Sequence, residues 1–152
     1  MLEILLNNNK PLKLLCVGSH PDDIEIGCGG SLIKWLENDM IENIDWVIFS
    51  SNKERRLEAE RSAAGFVNKK ASLAIFVESY KDSFLPYQAE QIKNSFIKIK
   101  KTIDNPDLIF TNYRNDLHQD HSFISSLTHN LFRDHLILEY EIPKYDGDLG
   151  NP

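Results

Sequence analysis

Apolar residues along this chain fall into short compact runs, and between the runs they recur at three- and four-residue spacing. Leu12–Gly18 (Leu-Lys-Leu-Leu-Cys-Val-Gly) predicts a buried strand closed by a glycine. Residues 30–38 carry Leu32, Ile33, Trp35 and Leu36 with Lys34 and Glu37 outward, which predicts a short helix. Residues 44–50 are β-branched and aromatic and predict a second strand. Residues 53–66 predict an exposed helix whose narrow stripe is Leu57, Ala63, Ala64 and Phe66. Residues 72–77 predict a third strand. Residues 87–103 predict the longest helix, with Ile92, Phe96, Ile99 and Ile103 on one face and lysines on the other. Pro106 and Asp107 stop it. Residues 108–111 predict a fourth strand, 120–133 a helix with Phe123, Ile124, Leu127, Leu131 and Phe132, and 136–142 a fifth strand.

Strands alternating with helices imply parallel β-α-β units. The expected fold is α/β: a three-layer, Rossmann-like, doubly wound arrangement around a mostly parallel sheet. Residues 1–152 are expected to be a single domain, since this length is enough for one real core. Asn7, Asn8 and Asn9 make a polar approach to the first strand. The tail from Pro143 to Pro152 is polar and turn-rich and reads as a loop leading onward, so a chain truncated at its C-terminus is expected.

Composition narrows the class. A hydrophobic fraction of 41% and a charged fraction of 26% are those of a soluble globular protein. The net charge of −6 argues against a nucleic-acid surface. No apolar run approaches the ~18 residues of a membrane span. The patch at residues 2–6 lacks a basic leader and a cleavage site, so no signal peptide is read. Cys16 and Cys28 make no disulfide framework, and a cytoplasmic location is expected.

Two polar clusters follow apolar runs. Ser19-His20-Pro21-Asp22-Asp23 comes after the first strand, with Gly27-Cys28-Gly29-Gly30 close behind. Asn115-Asp116-Leu117-His118-Gln119-Asp120-His121 comes after the fourth. Each offers imidazole and carboxylate where a strand ends, the place at which open α/β sheets bind ligands. If the first and fourth strands are neighbours, both clusters converge on one crevice. That pattern suggests a metal hydrolase.

The run His-Pro-Asp-Asp, then Gly-Cys-Gly-Gly, then Asp-x-His-x-Asp-His resembles the zinc-dependent N-deacetylases of the family that contains N-acetylglucosaminyl-phosphatidylinositol de-N-acetylase and the LmbE-like bacterial proteins. The resemblance runs from the first strand to about Ile142. It implies zinc ligands at His20, Asp23 and His121, a general base at Asp22, and an oxyanion-stabilising, protonated His118. Asp120 is implied as an acid that orients or tunes that histidine. Two histidines and one carboxylate leave an open coordination position, as a catalytic zinc needs, although iron(II) or another divalent metal suits the same ligands. The chain departs from the commonest family pattern at Ser19, Ile24 and Gln119, and none of these removes a ligand. The implied activity is removal of an acetyl group from an N-acetylated amino sugar, an N-acetylglucosamine conjugate. The implied partner is that small molecule, with no nucleic acid; self-association as a homo-oligomer is left open, favoured by an exposed sheet edge.

Two other classes compete: a non-catalytic sugar-binding or scaffold domain of the same fold, and another single-metal hydrolase such as a phosphoesterase. Plainer readings exist for single residues. Asp22 and Asp120 could each cap a helix. Gly27, Gly29 and Gly30 are not read as a dinucleotide loop, because residues 19–26 separate them from the strand; they are expected to let the start of the helix pack close to the metal loop. Cys28 is expected to pack, and His129 and His135 to be structural or exposed. Arg55 and Arg56 read as a solvated helix face, with substrate anion contact as the alternative. Asp82, Arg114 and Asn115 are candidate pocket residues.

Overall fold

Apolar side chains alternate along the central strands, so each strand buries one set of residues on each face. The computed structural model describes residues 10–67 and 69–142; the expectations for residues 1–9 and for the tail from Pro143 lie outside the described residues. Strands β1 (Leu12–Gly18), β2 (Ile41–Ser50), β3 (Ser72–Tyr80), β4 (Leu108–Asn112) and β5 (Leu136–Tyr140) alternate with helices α1 (Asp23–Glu37), α2 (Lys53–Val67), α3 (Ala89–Thr102) and α4 (Gln119–Leu131). The sheet order is β3-β2-β1-β4-β5, and every pairing is parallel.

Leu14, Cys16, Ile44, Trp46 and Phe110 face α1 and α2, meeting Ile24, Leu32, Ala59 and Ala63. Leu15, Val17, Val47, Phe49 and Ile109 face α3 and α4, meeting Ile92, Phe96, Ile99 and Ile124. Burial on both faces explains why the strands read as near-continuous apolar runs. The result is the expected three-layer α/β fold. From β1 the chain leaves through α1 toward β2, and from β4 it leaves through α4 toward β5, on the opposite face. The ends of these two adjacent strands therefore open a crevice.

Several expected boundaries move. The largest change is α1, which begins at Asp23 and not at Gly30, so its three glycines lie inside the helix. Glycine is a poor helix former, but packing overrides propensity here. A Cβ on Gly27 would lie 2.0 Å from the Tyr140 ring, and one on Gly29 2.8 Å from Phe66, so these positions let β5 and α2 press against the helix. In α2 the buried face is Ala59, Ala63 and Val67; Leu57 is exposed. The predicted helix at residues 87–103 is a 3-10 turn, Leu85–Gln88, followed by α3. Among the described residues no helix is long and apolar enough to cross a membrane.

Candidate functional site

The crevice between β1 and β4 gathers His20, Asp22 and Asp23 from one loop and Asp116, His118, Asp120 and His121 from the other. Asp23 sits in the first turn of α1, and its carboxylate folds back over the loop. Its Oδ2 accepts from the Ser19 N–H (2.8 Å), the His20 N–H (3.0 Å) and Asn112 Nδ2 (3.1 Å). Three donors occupy that oxygen, which leaves Oδ1 to face His121 Nε2 at 3.4 Å. Asn112, the last residue of β4, thus ties the second strand end to the first. Ser19 Oγ, 3.1 Å from Asn112 Oδ1 and from the Asp120 carbonyl, adds to the same seam.

The second cluster leads into α4. His118 is the N-cap, its Nδ1 accepting from the Asp120 N–H at 3.2 Å. An imidazole accepting at Nδ1 carries its proton on Nε2 when neutral, so His118 presents an N–H donor. The Asp120 carboxylate, fully buried, accepts from the Ser83 N–H (2.7 Å) and the Leu85 N–H (3.1 Å) and faces His20 Nε2 (3.2 Å). Ser83 adopts a left-handed backbone, φ 62°, to aim that N–H. Asp120 therefore meets His118 through its backbone and His20 through its side chain.

Two ring nitrogens meet in the centre. His121 Nδ1 lies 2.8 Å from Asp116 Oδ2, and His20 Nε2 lies 3.2 Å from both Asp120 Oδ2 and Asp82 Oδ1. With one ring nitrogen of each histidine turned to those carboxylates, the other two, His121 Nε2 and His20 Nδ1, face each other across 3.1 Å. His20 Nδ1 is also 3.6 Å from Asp23 Oδ2. Unprotonated nitrogens at this distance repel unless a cation or a proton lies between them. Ligand atoms around a tetrahedral ion with bonds of about 2.0–2.1 Å are about 3.3 Å apart, which these separations match. The residues present therefore fit a divalent metal held by His20, His121 and Asp23. Two other groupings, His20 with His118 and His121 and His20 with Asp82, His118 and Asp120, bring one ligand atom from each residue within 4.8 Å of one another. The second fits less well, because both oxygens of Asp120 are already committed to backbone donors and Asp82 is half exposed.

Charge follows the geometry. Burial works to raise the Asp23 carboxyl, but the imidazoles of His121 and His20 hold it well below the usual carboxylate range. Burial alone would lower His20; Asp120 and Asp23 outweigh it and push the imidazole up to about 9. His121 is raised in the same way, against burial, by Asp23 and Asp116. Burial lowers His118, and the neighbouring His121 and His20 lower it further. Since His118 Nδ1 accepts from the Asp120 N–H, the proton on this ring sits on Nε2.

Asp22 sits at the rim, its carboxylate oxygen 3.3 Å from Arg55 Nη2. Arg55 also reaches toward Asp82 at 3.9 Å, so this arginine lies at the site instead of on a purely solvated face. Arg114 is engaged by Glu139 at 2.6 Å, and Asn115 donates to the Tyr113 hydroxyl. Cys28 packs in the core, and His129 pairs with Glu139. Sequence reasoning assigned no role to Ser19, Asn112, Asp116 or the backbone of Ser83 and Leu85. Only Asp116 carried a signal, two residues before His118.

Comparison with known proteins finds a family and several similar folds. The family described as PIG-L: GlcNAc-PI de-N-acetylase matches residues 15–132. Among solved structures, an N,N'-diacetylchitobiose deacetylase from Pyrococcus horikoshii superposes with a TM-score of 0.63 at 24% identity, over 84% of this chain and 52% of that one. A deacetylase of the A40926 pseudoaglycone superposes at 0.65 with 18% identity, over 94% of this chain and 70% of that one. A teicoplanin deacetylase in a zinc-inhibited form superposes at 0.58 with 14% identity, over 85% and 67%. The chain spans about half the length of the first of these.

Proposed function

Because this chain belongs to the PIG-L family, GlcNAc-PI de-N-acetylase, we propose that it hydrolyses the acetamide of an N-acetylated amino sugar, an N-acetylglucosamine conjugate, in a metal-assisted reaction. The observation that carries this reading is the meeting of His20 Nδ1 and His121 Nε2 at 3.1 Å with Asp23 beside them. These three residues would hold the ion, zinc in the first instance. When bound, the ion polarises the acetyl carbonyl and lowers the pKa of a water toward ~7. Solved relatives described as deacetylases of N,N'-diacetylchitobiose and of the A40926 pseudoaglycone support the substrate class. That one relative is described in a zinc-inhibited form keeps iron(II) in view as the working metal.

The chain's own residues divide the remaining work. Asp22 is next to a ligand but turned to the rim, where it can take a proton from the attacking water. It then returns that proton to the leaving amine, so acetate and the free amine are the products. Arg55 holds the Asp22 carboxylate in place. His118 offers Nε2–H to the oxygen on which negative charge develops. Asp120, through Ser83 and Leu85, locks the loop after β3 against His20 and sets the ring's orientation.

Acetate release from N-acetylglucosamine and its glycosides tests the reading. Asp22→Asn is expected to retain metal and lose roughly 10²–10⁴-fold in kcat. Unchanged turnover in that variant would remove Asp22 as the base. Sugar binding without any acetate release from the wild type would favour a binding domain, and phosphate release would favour a phosphoesterase.

A further inference from the structure

Asp116 has no place in the scheme above, yet it makes two of the shortest polar contacts in the site. Its Oδ2 lies 2.8 Å from His121 Nδ1, and its Oδ1 accepts from the His118 N–H at 2.7 Å. Its side chain is only 12% exposed, so water has little access to it. The two histidines it serves lie face to face, with ring centroids 4.4 Å apart and planes 17° apart. We infer that Asp116 is a positioning residue, one carboxylate that fixes the tautomer of the ligand His121 and, through the backbone of His118, the place of the oxyanion donor. This rests on the metal-site reading above and extends it to a residue outside the ligand set.

A plainer role is available. A side-chain oxygen accepting from the N–H two residues on is an Asx turn, and asparagine makes that turn as well as aspartate. Asp116→Asn therefore separates the two roles: it keeps the turn and removes the charge that holds the proton on His121 Nδ1. In the full chain, zinc affinity measured by competition with a chromophoric chelator is expected to fall about 10–100-fold in Asp116→Asn, with the fold retained. Cobalt(II) substituted at the site is expected to show a shifted visible spectrum in the same variant. In zinc-loaded wild type, long-range ¹H–¹⁵N correlations are expected to place the His121 proton on Nδ1. Zinc affinity within about twofold of wild type in Asp116→Asn would leave only the turn and overturn the inference. A proton found on Nε2 in the wild type would overturn it even if the variant failed to fold. None of these measurements uses turnover. A wild type that binds zinc, responds to Asp116→Asn and releases no acetate would sink the deacetylase reading and leave the role of Asp116 standing.

Discussion

Alanine at Gly27 and at Gly30 should move stability in opposite directions, although both lie in α1 three residues apart. A methyl on Gly27 would sit 2.0 Å from Tyr140 Cδ2 and 2.6 Å from Cγ. Carbon atoms pack at about 3.5–4.0 Å, so the ring must retreat by about 1.5 Å or the helix must lift. Tyr140 is buried, and its hydroxyl donates to the Val17 carbonyl at 2.7 Å, so retreat also strains a buried hydrogen bond. Overpacking costs about 1–3 kcal/mol, and a displaced buried hydrogen bond about 1–3 kcal/mol more. Alanine's helix preference offsets about 1 kcal/mol of that. Gly27→Ala should therefore destabilise by about 1–5 kcal/mol. A methyl on Gly30 meets nothing within 4 Å, so only the helix preference remains and Gly30→Ala should stabilise by about 0.5–1 kcal/mol. At about 2–4 °C per kcal/mol for a chain of this size, thermal unfolding followed by circular dichroism resolves both shifts. Equal melting temperatures for wild type and Gly27→Ala, or a loss at Gly30 as large as that at Gly27, would mean that residues 23–30 are not helical and that α1 does not lean on Tyr140.

Two further outcomes follow from charge and geometry. His20 and His121 titrate above 6.5, so their protons stabilise the metal-free fold below pH 6.5, a contribution lost for His20 as the pH rises through about 9. Asp23 titrates far below 3.8, so its contribution is present above pH 3.8 and is lost on acidification below it. Zinc must displace the imidazole protons, so the rise in Tm caused by zinc should grow as the pH goes from about 6 to about 9; a pH-independent rise would contradict the ligand assignment. His118→Ala should lower kcat about 10²–10³-fold, with KM changed little and zinc retained; loss of zinc by elemental analysis would make His118 a ligand instead.

The strands and the two clusters were legible because their signals are local. β1 keeps the expected limits, and their place after apolar runs marked the two clusters, within which the family resemblance singled out His20, Asp22, Asp23, His118, Asp120 and His121. The start of α1 was not legible, since three glycines in four residues look like a break unless one knows that Tyr140 and Phe66 lie against them. Asp82 was marked as a pocket candidate by its place after the third strand, but the contacts of Ser83 and Leu85 beside it were hidden. They come from a third loop that reaches His20 and Asp120 only through the strand order. Whether β1 and β4 were neighbours could not be read either, because the chain passes through β2 and β3 between them.

That adjacency has a consequence for the order in which the molecule assembles. Leu14 pairs with Ile44 and Ile44 with Leu73, about thirty residues apart, but Leu14 pairs with Leu108 across a far longer stretch of chain. Closing a loop of about ninety residues costs roughly 4 kcal/mol in chain entropy beyond a constant, so the central pair is kinetically the most demanding contact. His20 and His121 meet only once it has formed. An ion held by them would bind only after this contact has formed, so it would slow unfolding more than it changes the rate of folding. Its influence would then fall on the lifetime of the native state, and that of the sheet on the speed of reaching it.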